Sequence, residues 1–176
     1  MNVKPITLFL DMDGVLANFE SKYEEMFDVQ LNKVSEDIWE NNWRHWVEAK
    51  AFEKLDWFKG ARELIDFATN LRNTGKIDRL EILSASGGQP YHDEVVRQKN
   101  AWLKSRGLFR HFDSVNVVEL GKKKGEFAHD RSILIDDTYY VVHNFRDHGG
   151  IGLLHDGRVD DMFYQSNMAL EMIRNR

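Results

Sequence analysis

The sequence contains no cysteine, and this absence excludes several kinds of protein. A disulfide-stabilised scaffold, a thiolate metal site and a cysteine nucleophile all need a side chain that the chain lacks. There are only two prolines, and no Pro/Gly/Ser-rich linker divides the chain. Because about 150 residues is typical of one domain, the 176 residues predict one domain with a modest insertion.

Long apolar runs and an excess of basic charge are also missing. No run approaches the ~20 apolar residues that span a bilayer, and the stretch from Ile6 to Leu10 ends at Asp11, too soon for a signal peptide. The 24 Lys and Arg against 29 Asp and Glu give a net charge of −5, which disfavours a protein whose main task is gripping duplex DNA. We therefore expect a cytoplasmic protein with no membrane association and no strong case for a nucleic-acid partner, and the oligomeric state stays open.

The sequence does contain a series of short apolar runs that stop at polar residues. These runs are Ile6–Leu10, Leu80–Leu83, Val115–Val118, Ile133–Ile135 and Ile151–Leu154. Continuous apolar runs are typical of strands buried on both faces of a parallel sheet. Helical patterns lie between them, at Ala61–Leu71, Glu94–Leu103 and Phe163–Ile173. The alternation predicts an α/β fold with a parallel sheet flanked by helices.

The segment between the first strand and the Ala61 helix is too long for one crossover. It is rich in aromatic residues, among them Phe19, Trp39, Trp43 and Trp46. We interpret residues 17–59 as a small helical insertion after strand 1, with residues 1–16 and 60–176 forming the core. The tryptophan spacing is more typical of a packed core than of a base-binding site. Because ligands bind at the carboxyl ends of the strands in an open α/β sheet, the insertion should lie above the site.

Two carboxylates, Asp11 and Asp13, follow the first strand, and Gly14 then allows a tight turn. Residues i and i+2 of an extended chain point to the same side, so both acids face one point beyond the sheet. At ~4 Å and an effective dielectric constant of about 20, two like charges repel by about 4 kcal/mol. A cation should therefore lie between them, and oxygen ligands without sulfur favour Mg²⁺. An Asp-Gly turn with solvated acids is the alternative.

A second acid pair, Asp136 and Asp137, ends another apolar run. Acids at the end of a buried strand must be paired or bind a metal. If the two strands are neighbours, three or four carboxylates meet and form a divalent-cation site. A helix N-cap with a first-turn acid is the alternative, and it explains one aspartate better than two.

Two weaker patterns suit a phosphate group. Ser84 follows the Leu80–Leu83 run and precedes Ala85, Ser86 and two glycines. A hydroxyl and free backbone N–H groups before a helix can hold a phosphate, although an ordinary turn explains the same residues. Among Lys122–Lys124, one lysine reaching the phosphate would supply positive charge, and the other two form a solvated face.

The order of these motifs resembles that of the haloacid-dehalogenase-like (HAD) phosphohydrolases. The stretch from Leu8 to Glu20, LFLDMDGVLANFE, and the Leu134–Asp137 stretch, LIDD, are most similar to the 5'(3')-deoxyribonucleotidases. The resemblance spans Leu8 to Asp137, and its first and fourth motifs are the specific ones. It implies a Rossmann-like HAD core with a small helical cap, and a Mg²⁺-dependent phosphomonoesterase acting on a small phosphomonoester, a (deoxy)nucleoside monophosphate.

The resemblance also implies catalytic roles. Asp11 would be the nucleophile that takes the phosphoryl group as an aspartyl-phosphate. Asp13 would protonate the leaving alkoxide and then activate water. Mg²⁺ would be held by Asp11, by the backbone carbonyl of Asp13 and by Asp136, with Asp137 in support.

Substrate contacts follow from the same resemblance. Ser84, with Ala85 beside it, would hydrogen-bond the transferring phosphoryl oxygens. Lys124, which is favoured over Lys123 by its spacing to the Asp136 strand, would neutralise them. Phe19 would contact the nucleobase.

Two positions depart from the family pattern and keep other readings open. Ser84-Ala85 stands where the deoxyribonucleotidases carry Thr-Ser, and Thr138 stands where they carry arginine. These changes touch phosphate and substrate contacts, so a sugar phosphate or a polynucleotide 3'-phosphate is the alternative substrate. A receiver-type signalling domain orders its acids differently and lacks Asp-x-Asp. A binding protein without turnover has no sequence feature in its favour, since every catalytic residue type is present.

Overall fold

The computed structural model describes residues 3–175, and its centre is a parallel sheet of five strands. The strands are β1 (Thr7–Leu10), β2 (Arg79–Ala85), β3 (Ser114–Val118), β4 (Ser132–Asp136) and β5 (Ile151–Leu154). Their order across the sheet is β3-β2-β1-β4-β5, and all four neighbouring pairs are parallel. The strand order changes direction at β1, so the carboxyl ends of β1, β2 and β4 meet where such sheets bind ligands.

In the described part of the chain, residues 3–175, six α-helices accompany the sheet. They are α1 (Phe19–Phe27), α2 (Glu36–Glu48), α3 (Ala61–Asn73), α4 (His92–Ser105), α5 (Tyr139–Asp147) and α6 (Val159–Arg174). Short 3₁₀ helices occupy Leu31–Lys33, Ala51–Lys54, Leu108–His111 and Gly121–Phe127. In residues 3–175, no helix has both the length and the hydrophobicity that are needed to cross a membrane.

Alternating side chains of the strands divide the interior into two hydrophobic clusters. Leu8 and Leu10 of β1 face a large cluster that includes buried residues of α3, α4 and α6. Phe9, on the opposite face, joins a smaller cluster with Val141 and Phe145 of α5. Because both faces of the sheet are covered, its strands are largely apolar, as the continuous runs in the sequence predicted, with polar exceptions such as Glu81 of β2 and Asn116 of β3.

The α/β prediction is confirmed, and the differences from it are local. All five predicted strands form, with β2 extending through Ser84 to Ala85. The predicted helices form and extend beyond their predicted bounds. Helix α5 was not predicted, because its first four residues are aromatic or β-branched and have low intrinsic helix propensity. Packing of its apolar side against β4 and β5 decides its conformation.

The inserted segment, residues 17–59, leaves and rejoins the sheet at one place. The N–H of Asn18 donates to the carbonyl of Asp56 at 2.9 Å, and the N–H of Phe58 donates to the carbonyl of Leu16 at 2.9 Å. The segment contains α1 and α2, whose aromatic side chains pack together, and Trp46 at its centre is fully buried. This packing agrees with the prediction that the tryptophan stripe forms a core. The domain boundaries remain a prediction.

Candidate active site

A tight turn after β1 positions the first two acids. The carbonyl of Met12 accepts hydrogen bonds from the N–H groups of Leu16 and Ala17, both at 2.8 Å, so the chain folds back at once. Gly14 has φ of +70° in this turn, and a Cβ there would lie 1.9 Å from Oδ2 of Asp137. A residue without a side chain is therefore required both by the backbone conformation and by the neighbouring carboxylate.

Three carboxylates converge at the carboxyl ends of β1 and β4. One oxygen each from Asp11, Asp136 and Asp137 lies within 4.8 Å of the others. The strands are neighbours, as the sequence argument required, and Asp136 is fully buried while Asp11 is 6% exposed. The donors are all oxygen atoms, which is the ligand chemistry of a hard divalent cation. Three of the four acids predicted from the two motifs therefore meet, whereas the carboxylate of Asp13 is outside this set and pairs with a lysine instead.

Burial and mutual repulsion raise the pKa values of this cluster. Burial and the negative charge of Asp11 raise the pKa of Asp136 to about 6, against the opposing effect of Lys124. Asp137 is exposed as a residue, but protein atoms surround most of its carboxyl group. The resulting desolvation, together with the negative charges of Asp11 and Asp136, raises the pKa of Asp137 to about 7. A bound divalent cation would reverse this balance by favouring the ionised carboxylates.

Lys124 lies between two of these acids. Its Nζ is 2.6 Å from Oδ2 of Asp136 and 2.9 Å from Oδ2 of Asp11, and the side chain is 2% exposed. Burial alone would lower the pKa of Lys124, but the charges of Asp11 and Asp136 outweigh it and raise that pKa well above its ordinary value. Lys122 and Lys123 are exposed, so the structure brings into the site the lysine that the sequence argument favoured.

A second buried lysine, Lys99, was missed by the sequence reasoning. Its Nζ donates to Oδ2 of Asp13 at 2.6 Å and to Oγ of Ser84 at 2.8 Å, and the side chain is 1% exposed. Burial raises the pKa of Asp13, and the positive charge of Lys99 opposes that rise. The other carboxylate oxygen of Asp13, Oδ1, is buried with no hydrogen-bond partner among residues 3–175.

The position of Lys99 in the sequence of α4 could have indicated that its side chain is buried. The buried side of that helix carries Val95, Gln98, Lys99, Trp102 and Leu103. A lysine at an apolar helical position is rarely buried unless it has a partner. That position predicts a buried ion pair, although it does not identify Asp13, which is 86 residues away in sequence.

The predicted phosphate contacts lie at the end of β2. Ser84 is fully buried and lies opposite Asp13 across Lys99. Ala85 ends the strand and is partly buried. Ser86 is buried, and its hydroxyl pairs with Nδ1 of His92 at 2.7 Å, which fixes the turn into α4.

A cleft of about 470 Å³ opens beside these acids. Its walls include Asp13 and Asp137 from the core and Phe19 and Phe58 from the inserted segment, with His155 after β5. The ring of Phe19 packs among five aromatic rings, at centroid distances from 4.8 to 6.4 Å. The structure therefore brings Phe19 to the same cleft as Asp13 and Asp137, with much of its ring buried in the aromatic core of the insertion.

The comparison with known proteins agrees with this arrangement. A family model described as "5' nucleotidase, deoxy (Pyrimidine), cytosolic type C protein" matches residues 4–167, which is nearly the whole chain. The chain belongs to this family. The resemblance to the deoxyribonucleotidases that the motifs indicated is thereby confirmed. No curated protein matches the sequence at a significant level.

Solved structures with the same fold include a HAD-superfamily hydrolase. A HAD-superfamily hydrolase from Ehrlichia chaffeensis superimposes with a TM-score of 0.56 and 14% identity, over 98% of this chain and 100% of the other. A hydrolase from Streptococcus pneumoniae gives 0.51 and 13%, over 90% and 96%. L-2-haloacid dehalogenase from Xanthobacter autotrophicus gives 0.55 and 12%, over 85% and 76%. At these identities the similarity to solved structures shows the fold alone. Together with the family match, it identifies this member of the nucleotidase family as a HAD-type phosphatase.

Proposed function

We propose that the protein is a Mg²⁺-dependent phosphomonoesterase that hydrolyses (deoxy)nucleoside monophosphates through an aspartyl-phosphate. The observation that carries the proposal is the convergence of the Asp11, Asp136 and Asp137 carboxylates, with the buried ammonium of Lys124 between Asp11 and Asp136 and with Asp13 two residues from Asp11. Phosphoryl transfer needs positioning and charge neutralisation, and this arrangement supplies both.

The residues present fit a magnesium ion. Asp11, Asp136 and Asp137 offer oxygen ligands within 4.8 Å of one another, and the backbone carbonyl of Asp13 would complete the protein's share. The pKa of Asp137, raised to about 7 by desolvation and by neighbouring negative charge, indicates a cluster that favours an added cation. When bound, Mg²⁺ would neutralise charge on the phosphoryl oxygens and orient the group.

The side chains divide the reaction into two steps. In the first, a carboxylate oxygen of Asp11 forms a bond to phosphorus while the ester P–O bond breaks, and Asp13 gives its proton to the leaving alkoxide. In the second, Asp13 takes a proton from water as that water attacks phosphorus, which releases inorganic phosphate and frees Asp11. The raised pKa of Asp13 suits a group that must carry a proton in the first step.

The neighbouring side chains act on the phosphoryl group. Lys124 neutralises its oxygens from the side of Asp11. The Ser84 hydroxyl accepts its hydrogen bond from Lys99, which leaves its own proton free to bond a phosphoryl oxygen beside Ala85. Lys99 holds Asp13 and Ser84 in one fixed relation.

Residues 17–59 would act as a cap over the core formed by residues 1–16 and 60–176. Phe19 and Phe58 line the cleft together with Asp13 and Asp137, so a nucleobase attached to a bound phosphate could contact them. Tight packing of Phe19 with its neighbours fixes its position, so its exposed edge offers a rigid apolar contact.

The experiment that tests the proposal is phosphate release from deoxynucleoside and ribonucleoside monophosphates, with sugar phosphates and a 3'-phosphorylated oligonucleotide included. Each assay is run with Mg²⁺ and with EDTA. Mg²⁺-dependent release from one or a few nucleotides is the expected result. Release from the sugar phosphate or the oligonucleotide alone would keep the chemistry and contradict the substrate class. Activity that survives EDTA would contradict the metal assignment.

A further inference from the structure

A second pocket, of about 370 Å³, shares no residue with the catalytic cleft. Three arginines, Arg62, Arg106 and Arg110, line it together with Trp57, Asp66 and His111. We call it the arginine pocket. Its residues come from the end of the inserted segment, from α3, from the end of α4 and from the 3₁₀ helix before β3.

The arginines of this pocket carry unpaired charge. Within residues 3–175, no carboxylate oxygen lies within 4.0 Å of the guanidinium of Arg62, Arg106 or Arg110. Four other arginines of the protein, by contrast, are in ion pairs: Arg72, Arg79, Arg97 and Arg158. In a chain of net charge −5, three arginines that line one pocket without a carboxylate within 4.0 Å concentrate positive charge at one place.

Aromatic rings and backbone groups fix two of these arginines. The guanidinium of Arg106 lies 4.2 Å from the ring centroid of Trp102 and donates to the carbonyl of Leu55. Its Nε is buried and has no hydrogen-bond partner among residues 3–175. Arg62 lies 4.9 Å from the ring centroid of Trp57. Cation–π contacts of this kind restrain the side chains without neutralising them.

The charges that face the pocket sum to a positive value. Arg62, Arg106 and Arg110 face Asp66, and the negative charge of Asp56 also acts on Arg106, so three positive charges stand against two negative ones. Burial and the charge of Arg110 lower the pKa of His111, which keeps that ring neutral at pH 7. A guanidinium group can donate two parallel hydrogen bonds to phosphate oxygens, so such a pocket favours a phosphate over a neutral ligand.

We propose that the arginine pocket binds the phosphate group of a small anionic molecule at a site separate from the catalytic cleft. Its position gives the site a second property. Trp57 forms an isolated β-bridge with Ala17, and the next residue, Phe58, bonds to Leu16 and lines the catalytic cleft. A bound phosphate would therefore contact the junction of the inserted segment with the core.

The test follows the indole N–H resonance of Trp57 in the ¹⁵N-labelled protein, assigned with Trp57→Phe, while inorganic phosphate is added at constant ionic strength with chloride. A parallel titration uses a nucleoside diphosphate as the ligand. Both titrations are made in the Asp11→Asn background, which prevents hydrolysis of that ligand. We expect a saturable shift of Trp57 that weakens about tenfold or more in Arg62→Gln/Arg110→Gln. The matched control, Lys104→Gln/Arg174→Gln, removes two exposed positive charges outside the pocket and should leave the titration unchanged.

Three results would overturn the proposal: no saturable shift with either phosphate or the diphosphate, equal weakening in the control pair, or an undiminished shift in Arg62→Gln/Arg110→Gln. The last result would mean that Trp57 senses phosphate in the catalytic cleft. Tighter binding of the diphosphate than of phosphate identifies a nucleotide as the source, and equal binding identifies phosphate itself. Because Arg62 and Arg110 are exposed, their loss should not unfold the protein, and unchanged amide spectra check this.

Discussion

Lys99→Met tests whether the buried lysine of α4 serves the proton transfer of Asp13. The substitution removes the ammonium that lies 2.6 Å from Oδ2 of Asp13 and 2.8 Å from Oγ of Ser84, and it keeps most of the side-chain volume. A hydrogen bond to a charged group contributes about 1.5–3 kcal/mol, which corresponds to a rate change of about 10- to 150-fold.

The expected loss depends on the leaving group. A nucleoside leaves as a poor alkoxide and needs the proton of Asp13, so kcat/KM for a nucleoside monophosphate should fall by about 100-fold. The p-nitrophenolate ion leaves without a proton, so kcat/KM for p-nitrophenyl phosphate should fall by about tenfold or less. Thermal unfolding should show a smaller effect, about 1–2 kcal/mol, because Asp13 keeps some contact with water, with its side chain 26% exposed.

The control is Lys104→Met, which replaces an exposed lysine on the same helix. It should change kcat/KM for neither substrate. Equal losses on the two substrates would refute the reasoning, because a lysine that only stabilises the fold or the phosphoryl group cannot distinguish leaving groups. Retention of full activity in Lys99→Met would refute it as well.

Four further predictions follow from the site. Asp11→Asn should lower phosphate release by about 10⁴-fold or more while the circular-dichroism spectrum stays unchanged, because it removes the proposed nucleophile; a loss of only about tenfold would contradict that role. Phe19→Ala should raise KM for a nucleotide about 10- to 100-fold and for phenyl phosphate much less, and equal increases would exclude a base contact. Gly14→Ala should destabilise the protein by more than the ~1–2 kcal/mol of backbone strain, because a Cβ there meets a carboxylate oxygen at 1.9 Å; Gly75→Ala, with similar φ and open space, measures the strain alone in urea unfolding. Burial lowers the pKa of His155 below 6.5, so protonation of His155 favours the unfolded state and the free energy of unfolding falls as the pH drops below about 6.5. His155→Phe should therefore reduce the loss of stability between pH 7 and pH 5. An unchanged pH dependence would contradict this expectation.

The fold and the acidic cluster could be predicted because their signals are local in sequence. A buried strand is a run of apolar residues, and an acid that follows it lies at the edge of the sheet wherever the strand pairs. Asp11 and Asp136 therefore needed only the neighbouring placement of β1 and β4. Helix α5 was missed because its sequence favours other conformations, and only its packing on the sheet makes it helical.

Lys99 and the arginine pocket depend on long-range packing. Lys99 meets Asp13 across 86 residues, and the pocket collects residues between Trp57 and His111 from four elements. No local pattern pairs such residues, since which helix faces overlap is decided by the three-dimensional arrangement. The sequence can mark a buried lysine as unusual, but only the fold supplies its partner.

Helix α4 contacts both the inserted segment and Asp13 through side chains on one side of the helix. Gln98 donates to the carbonyl of Val47 at 2.8 Å, Trp102 donates to the carbonyl of Leu55 at 2.8 Å, and Lys99 between them reaches Asp13. The two ends of the insertion lie side by side, where Phe58 bonds to Leu16, so an exchange of the insertion between family members needs only two junctions. We expect such a chimera to keep the contact of Lys99 with Asp13 only when α4 is exchanged together with the insertion, because Gln98 and Trp102 bond to the insertion on either side of Lys99.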